Sequence, residues 1–380
     1  MARLGDVCTI VSGTTPKSDH PEYWDGAINW VTPAELTDES DTIFESQRKI
    51  TQQAVSDSSL KPFPAGTVLL SSRAPIGKVA IAGVEMYCNQ GFKNLICSDV
   101  IYNRYLYHFL KGKTDYLNSL GRGATFKEIS KSIVEGIEIP LPPLDEQRKI
   151  AAVLDKVSDL IAKRRQQLDK LDELVKVRFV EMFGDTVLNP YGWDKDFLGT
   201  VCNVRDGTHD SPKYYQTGYP LVTSKNVTAG KIDLSTCSLI SEADYNKINE
   251  RSKVDKGDII MPMIGTVGKP VIVNIEPNFA IKNVALIKFI QASKVLNIYI
   301  QALLQSDYFD DAVLSKIRGG TQQFISLGDI RKLEVLVPPI ELQNQFAAFV
   351  EQIAKTKATI SRSLEKLETL KKALMQEYLG

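Results

Sequence analysis

From Ile150 onward, apolar residues recur at Leu154, Val157, Ile161, Leu168, Leu171, Val175 and Met182, in steps of four and three broken at Arg164 and Arg178. The same spacing returns 196 residues later at Phe346, Val350, Ile353, Ile360, Leu364, Leu367, Leu374 and Tyr378, with breaks at Lys357 and Lys371. Neither stretch contains Gly or Pro. Asp145 and Glu146 fall in the first turn of the former, where the helix dipole favours negative charge. Heptads sustained over this length predict two long helices, 144–184 and 340–380, that pair as a coiled coil. The polar breaks fall at different steps in the two, as expected if a pseudo-two-fold axis pairs them antiparallel. The alternative is that each helix packs only against the domain preceding it.

The remaining sequence mixes short β-branched runs with Gly and Pro punctuation, the pattern of strands and turns. Val79–Ala82 and Asp258–Met261 are examples, with helical patches at Tyr102–Leu110 and Leu296–Leu304. This part, too, occurs twice. Leu4-Gly5-Asp6-Val7-Cys8 matches Leu198-Gly199-Thr200-Val201-Cys202 at an offset of 194 residues. Ala65-Gly66-Thr67 matches Lys256-Gly257-Asp258 at an offset of 191, and Pro142-Pro143 with Gln147 match Pro338-Pro339 with Gln343 at 196. So small a drift implies two copies of one fold with short loop insertions. The expected architecture is α/β: two tandem mixed α/β domains, 1–143 and 185–339, separated by two long helices forming an antiparallel coiled coil. In each copy the Pro-Pro pair ends the last strand, since proline donates no ladder hydrogen bond and bars the preceding residue from helix.

Composition narrows the class. In 380 residues, 43% are hydrophobic and 24% charged, as in an ordinary globular protein. No apolar run approaches the roughly 18–20 residues that cross a bilayer, and the N-terminus lacks signal-peptide character, so a cytoplasmic location with no membrane contact is expected. The five cysteines are scattered without Cys-x-x-Cys and read as reduced thiols, and His20, His108 and His209 lack ligand spacing, so no metal is expected. With 46 basic and 46 acidic side chains, the net charge is zero, which argues against indiscriminate nucleic-acid binding. A neutral chain still binds DNA if its basic groups gather on one face or a partner supplies affinity. About 38 helical residues span roughly 57 Å. At about 3.4 Å per base pair, that caps the separation of two reading heads near 17 base pairs.

The order of these features resembles the specificity subunits of type I restriction–modification systems. The resemblance covers essentially the whole chain. It rests on the tandem domains, on Pro140-Leu141-Pro142-Pro143-Leu144-Asp145-Glu146-Gln147 leading into a long helix that ends in Phe183-Gly184, and on Asn189-Pro190-Tyr191-Gly192-Trp193 opening the second copy. Arg205-Asp206-Gly207-Thr208-His209 with Thr223-Ser224-Lys225-Asn226, and Ser12-Gly13-Thr14-Thr15-Pro16 with Trp30-Val31-Thr32, add to it. The resemblance implies a non-catalytic subunit in which each domain reads one half of a bipartite, asymmetric site in double-stranded DNA. It implies two docked modification subunits that bind S-adenosylmethionine and methylate adenine N6. It also implies that restriction subunits using ATP and Mg can join, while this chain itself binds no cofactor. The second helix opens with Glu341-Leu342-Gln343-Asn344-Gln345 where the first has Asp145-Glu146-Gln147-Arg148-Lys149, a departure that puts equal docking of the two partners in doubt.

No catalytic set is expected: Asn189-Pro190-Tyr191 lacks the second proline of the adenine methyltransferase motif and reads as a turn, and no phosphate loop is present. The expected DNA contacts are small-residue loops flanked by polar side chains, since Arg grips guanine and Gln or Asn pairs with adenine. They comprise Arg122 and Thr125, then Arg318, Thr321, Gln322 and Gln323. Arg73, Lys78 and Lys269 flank glycine turns, and Lys93-Asn94 and Lys282-Asn283 are paired across the repeat. The family-like segments add Lys17, Thr32, His209, Ser224, Lys225 and Asn226. Trp24, Trp30, Trp193 and the Tyr214-Tyr215 pair read as core or turn packing rather than base stacking, and Lys163-Arg164-Arg165 as a basic cluster facing phosphates, partner subunits or solvent. The competing function is a coiled-coil protein–protein scaffold with two adaptor domains and no DNA role.

Overall fold

The computed structural model describes the chain except for residue 74 and residues 124–126, 229, 265–268, 291–292 and 315–323. It divides into two compact units: Met1–Arg165 together with Arg362–Gly380, and Gln166–Ser361. Four helices organise these units: α1 (Asn103–Gly112), α2 (Leu144–Phe183), α3 (Asn297–Leu303) and α4 (Ile340–Leu379). The two long helices end within a residue of the bounds that the heptads predict. They are not segments apart from the domains, however, because each is shared between the two units.

Among the described residues, the first unit holds a five-stranded sheet in the order Cys8–Val11, Asn94–Cys97, Val68–Leu70, Val79–Ala82, Thr42–Ile43. Its pairings are antiparallel except that between Thr42–Ile43 and Val79–Ala82. A three-stranded sheet, Lys49–Ile50, Trp24–Val31, Tyr87–Cys88, also mixes both directions. The second unit repeats the plan with a four-stranded antiparallel sheet, Asn203–Asp206, Val284–Lys288, Ile259–Pro262, Val271–Ile272. Beside it runs a mixed sheet, Ser238–Ile240, Tyr219–Val222, Ala280–Ile281. Runs such as Val68–Leu70 and Ile259–Met261 are apolar at every position because both of their faces are buried.

Two glutamines, each fully buried, lock the start of each long helix to its domain. Gln147 accepts from the Tyr102 backbone N–H at 2.8 Å and donates to the Val100 and Pro142 carbonyls at 3.0 and 2.8 Å. Gln343 repeats this bracket on Leu296, Lys294 and Pro338 at 2.8, 3.0 and 2.8 Å. Tyr105 and Tyr299 likewise donate from equivalent positions to the Pro140 and Leu336 carbonyls, both at 2.9 Å. The repeat seen in the residues is thus a repeat of hydrogen bonding.

The helices also pair within each unit. In the first unit, Ile150, Ala151 and Leu154 share a core with Leu379, against which Leu374, Met375 and Tyr378 pack, and Arg165 bonds Glu368 at 2.8 Å. The start of α2 thus meets the end of α4. In the second unit, Phe179 and Phe183 meet Phe346 at ring separations of 5.6 and 5.5 Å, and Lys357 pairs with Asp172. There the end of α2 meets the start of α4, so the two run antiparallel in both units. Val157, Ile161 and Ile353 are buried, while Leu168, Leu171, Val175, Val350, Ile360, Leu364 and Leu367 are half-buried, which puts the expected seam on one face of each helix. Each helix packs on its partner and on a domain core at once.

Candidate nucleic-acid interface

In each unit a glycine lets the polypeptide cross a strand at very close range. A Cβ on Gly13 would lie 1.8 Å from the Cys88 carbonyl oxygen, and one on Gly207 would lie 2.4 Å from that of Ile281. Only glycine allows this crossing, which explains the Gly-Thr steps in the sequence. The loops beyond these glycines carry Lys17 in the first unit and His209 in the second, and other segments bring the remaining candidate groups.

In the first unit the centre of the candidate face is Glu128. Arg73 donates to it at 2.9 Å and Lys93 at 3.1 Å. Burial works to raise the Glu128 carboxyl, but the bonds from Lys93 and Arg73 outweigh it and hold it below the usual glutamate range. Arg122 is bridged to Glu128 through both backbone groups, with its side chain exposed. Lys17 is exposed on a loop whose carbonyl accepts from the Trp24 indole at 3.3 Å, and the Arg48 guanidinium lies 3.9 Å over that ring. Lys78 is turned inward to the Leu36 carbonyl at 2.6 Å.

Some expected contacts lie inside the domain rather than on its surface. Lys93 is buried, and Asn94, with no exposed surface, donates to the Cys88 sulfur at 3.1 Å. Burial pushes the Cys88 thiol up to about 12, so it stays protonated. Thr32 forms a capping box with Glu35, and Thr223 forms the same box with buried Asn226, which also donates to Thr236 at 3.1 Å. The capping boxes satisfy turn backbones, whereas Lys93 is held by the Ser72 hydroxyl and Glu128, and Asn94 by the Cys88 sulfur.

In the second unit the centre is Asp206, which is nearly buried. His209 meets it through Nε2 at 2.8 Å and meets Asn283 through Nδ1 at 2.9 Å, and Arg251 pairs with its other oxygen. The bonds to Asn283 and Asp206 favour the imidazolium and raise His209 above the ordinary histidine value. Lys282 donates to Ser211 at 2.6 Å, and Ser224 to the Asn283 carbonyl at 3.4 Å. A hollow of about 420 Å³ opens beside this cluster, lined by Thr208, Ser211, Lys247 and Arg251 among others. Lys225 and Lys269 are exposed. Thr125, Arg318, Thr321, Gln322 and Gln323 lie outside the described residues.

Glu128 and Arg251 escape notice in the sequence, because a lone carboxylate or helical arginine shows no motif before the chain folds, and Asp206 is visible there only as part of the family-like segment 205–209. Tyr214 and Tyr215, expected to mark core or turn packing, lie outside the core at 56% and 50% exposed, on the loop after Pro212. Trp30 is buried as expected, and Asn189 forms the expected turn, bonding Trp193 twice at 2.8 and 2.9 Å. Arg165 of the basic cluster is held by Glu39 and Glu368 at 3.1 and 2.8 Å.

The chain matches the family described as the type I restriction modification DNA specificity domain twice, over residues 1–173 and 190–369. The chain belongs to this family. A type I restriction enzyme MjaIX specificity subunit from Methanocaldococcus jannaschii is 31% identical over 98% of this chain and 90% of its own length. The EcoKI specificity subunit of Escherichia coli K12 is 22% identical over 96% of this chain and 84% of its own. In three dimensions the chain resembles the S subunit of a type I restriction–modification system from M. genitalium, with TM-score 0.58, 15% identity and coverage of 100% and 95%. It also resembles a chain from a type I system solved for its assembly and conformational transition, with TM-score 0.61, 20% identity and coverage of 99% and 96%. The protein is therefore a type I specificity subunit, the non-catalytic member that carries DNA specificity, and the scaffold reading gives way. No helix among the described residues is long and apolar enough to cross a membrane.

Proposed function

We propose that each domain of this specificity subunit, 1–143 and 185–339, reads one half of a bipartite, asymmetric DNA site, with the helical spans 144–184 and 340–380 setting the gap. The observation that carries this reading is that one scaffold presents two unlike polar faces. Arg73 and Lys93 gather on Glu128 in the first unit, while His209, Asn283 and Arg251 gather on Asp206 in the second. Equal scaffolds with unequal side chains suit two different half-sites, since backbone contacts position a protein on DNA and base contacts specify it. In this proposal Arg73, Arg122, Lys17, His209, Lys282, Asn283, Lys225 and Lys269 face the DNA. Lys93, Asn94, Thr32 and Asn226 hold the loops in place, and Thr125, Arg318, Thr321, Gln322 and Gln323 remain candidates for DNA contact on sequence alone. The helices dock two modification subunits, which supply S-adenosylmethionine and methylate adenine N6. Restriction subunits with ATP and Mg join the same core. Zero net charge fits a subunit whose DNA affinity is weak alone and strong when assembled.

The test is single-molecule methylation sequencing in a host lacking other adenine methylases, expressing this chain with its modification subunit. The expected result is N6-methyladenine on both strands of one bipartite motif, with one half-motif replaced when 185–339 is exchanged for another domain of the family. Methylation at a contiguous motif, or loss of both halves on exchange into a soluble, assembled chain, refutes the proposal.

A further inference from the structure

The repeat places a hollow at the same point of both units, where the end of the short helix faces the long helices, but the two hollows differ in kind. In the second unit it is small, about 110 Å³, and lined by Val175, Phe179 and Val180, with one lysine, Lys176, and one carboxylate, Asp307. In the first unit it is about 410 Å³ and lined by four lysines, Lys111, Lys113, Lys371 and Lys372, with no acidic side chain among its described lining residues. Residue by residue, Lys111 stands where the second unit has Gln305, Lys113 where it has Asp307, Lys371 where it has Val175, and Met375 where it has Phe179. The fold therefore does not require four cations here, since its other copy keeps only one of them, Lys176 in place of Lys372.

In a chain with equal numbers of acids and bases, four ammonium groups around one hollow that no carboxylate side chain lines repel one another, and an anion among them would relieve that. Within the hollow, Lys111 donates to the Ser40 carbonyl and the Tyr107 hydroxyl at 2.9 and 2.6 Å, and Lys113 reaches a Gly380 oxygen, while the carboxylates that act on Lys111 and Lys371 (Asp38, Asp41 and Asp155) lie outside the lining. Burial, and then the neighbouring Lys371, push Lys111 down to about 8, and burial with nearby Arg165 lowers Lys371. An anion set among these groups would reverse both effects. Lysine suits it as a compact charge with three donors, and the volume exceeds what a single phosphate fills.

We propose that this hollow in the first unit is a binding site for a phosphate-bearing polyanion, either a free polyphosphate or nucleotide, or consecutive phosphates of a DNA backbone. Isothermal titration calorimetry of the full-length chain with tripolyphosphate tests it, alongside the variants K113M/K372M and K371M. The control K176M sits at the equivalent hollow of the second unit. One tripolyphosphate should bind per chain, the affinity should fall at least tenfold in both site variants, and K176M should leave it unchanged. Melting curves matching the parent show that the variants fold.

The assembled methylase then distinguishes the two sources. If the natural occupant is a free polyanion, saturating tripolyphosphate leaves DNA affinity unchanged. If it is backbone phosphate, tripolyphosphate competes with DNA, and K113M/K372M lowers the slope of log affinity against log salt by about 2. No binding of tripolyphosphate together with unchanged DNA affinity and salt slope in folded variants overturns the proposal. So does binding that survives both site variants.

Discussion

Replacing Gln147 with leucine tests whether the buried glutamine bracket holds domain to helix. Leucine fills nearly the same volume but leaves the Tyr102 N–H and the Val100 and Pro142 carbonyls, bonded at 2.8, 3.0 and 2.8 Å, without their partner. An orphaned buried polar group costs about 1–3 kcal/mol, so three near the low end of that range amount to about 3 kcal/mol. For a unit of this size, about 2–4 °C of melting temperature is lost per kcal/mol, giving a fall of roughly 6–12 °C. Gln343→Leu should do the same, since its distances match within the precision quoted. The two brackets share no partner, so the effects should add to within about 0.5 kcal/mol. Calorimetry of the full chain gives the size of the loss. Hydrogen exchange locates it, with faster exchange confined to Met1–Arg165 and Arg362–Gly380 in Q147L and to Gln166–Ser361 in Q343L. A loss below about 1 kcal/mol in both variants would show that the backbone groups find other partners and that the glutamines do not hold domain to helix.

Gly207→Ala places a Cβ 2.4 Å from the Ile281 carbonyl oxygen, so the strand must move, and overpacking of this kind costs about 1–3 kcal/mol. Methylation sequencing should show one half-motif degraded and the other intact, and equal degradation of both would contradict the division of labour. His209 is raised above its ordinary value of 6.5, so its contribution to stability is fully present below 6.5 and disappears as pH rises through the folded-state value. The positive charge it offers DNA disappears over the same window. The salt slope of DNA binding by the assembled complex should therefore drop by about 1 across it, and H209Q should abolish the drop; a slope flat with pH in the parent would place His209 off the DNA.

Much of the architecture is legible from the residues because its signals are periodic. The heptads mark α2 and α4, and the offsets of 194, 191 and 196 mark the duplication. Gln147 and Gln343 stand out only as an aligned pair; their role needs the carbonyls that the fold brings to them. The site is less legible, because its key groups are partners rather than motifs. Lys93-Asn94 and Lys282-Asn283 align in sequence, yet Lys93 is buried against Glu128 while Lys282 reaches exposed Ser211. Tyr214-Tyr215 shows the limit from the other side, since nothing in an aromatic pair tells whether a core lies within its reach.

The division of the chain has a consequence for how the protein is made. The second unit is contiguous and is inserted within the first, whose last piece is Arg362–Gly380. The faces of Ile150, Ala151 and Leu154 that Leu379 helps to cover emerge from the ribosome well before their partner exists. The 196 residues Gln166–Ser361 must be synthesised in between, which at about 5–20 residues per second takes roughly 10–40 s. Through that interval the nascent first domain carries an open apolar edge, and the final turns of α4 act as its closing clasp. A ribosome that stalls or terminates before α4 is finished would therefore release a chain whose second unit is complete and whose first is not.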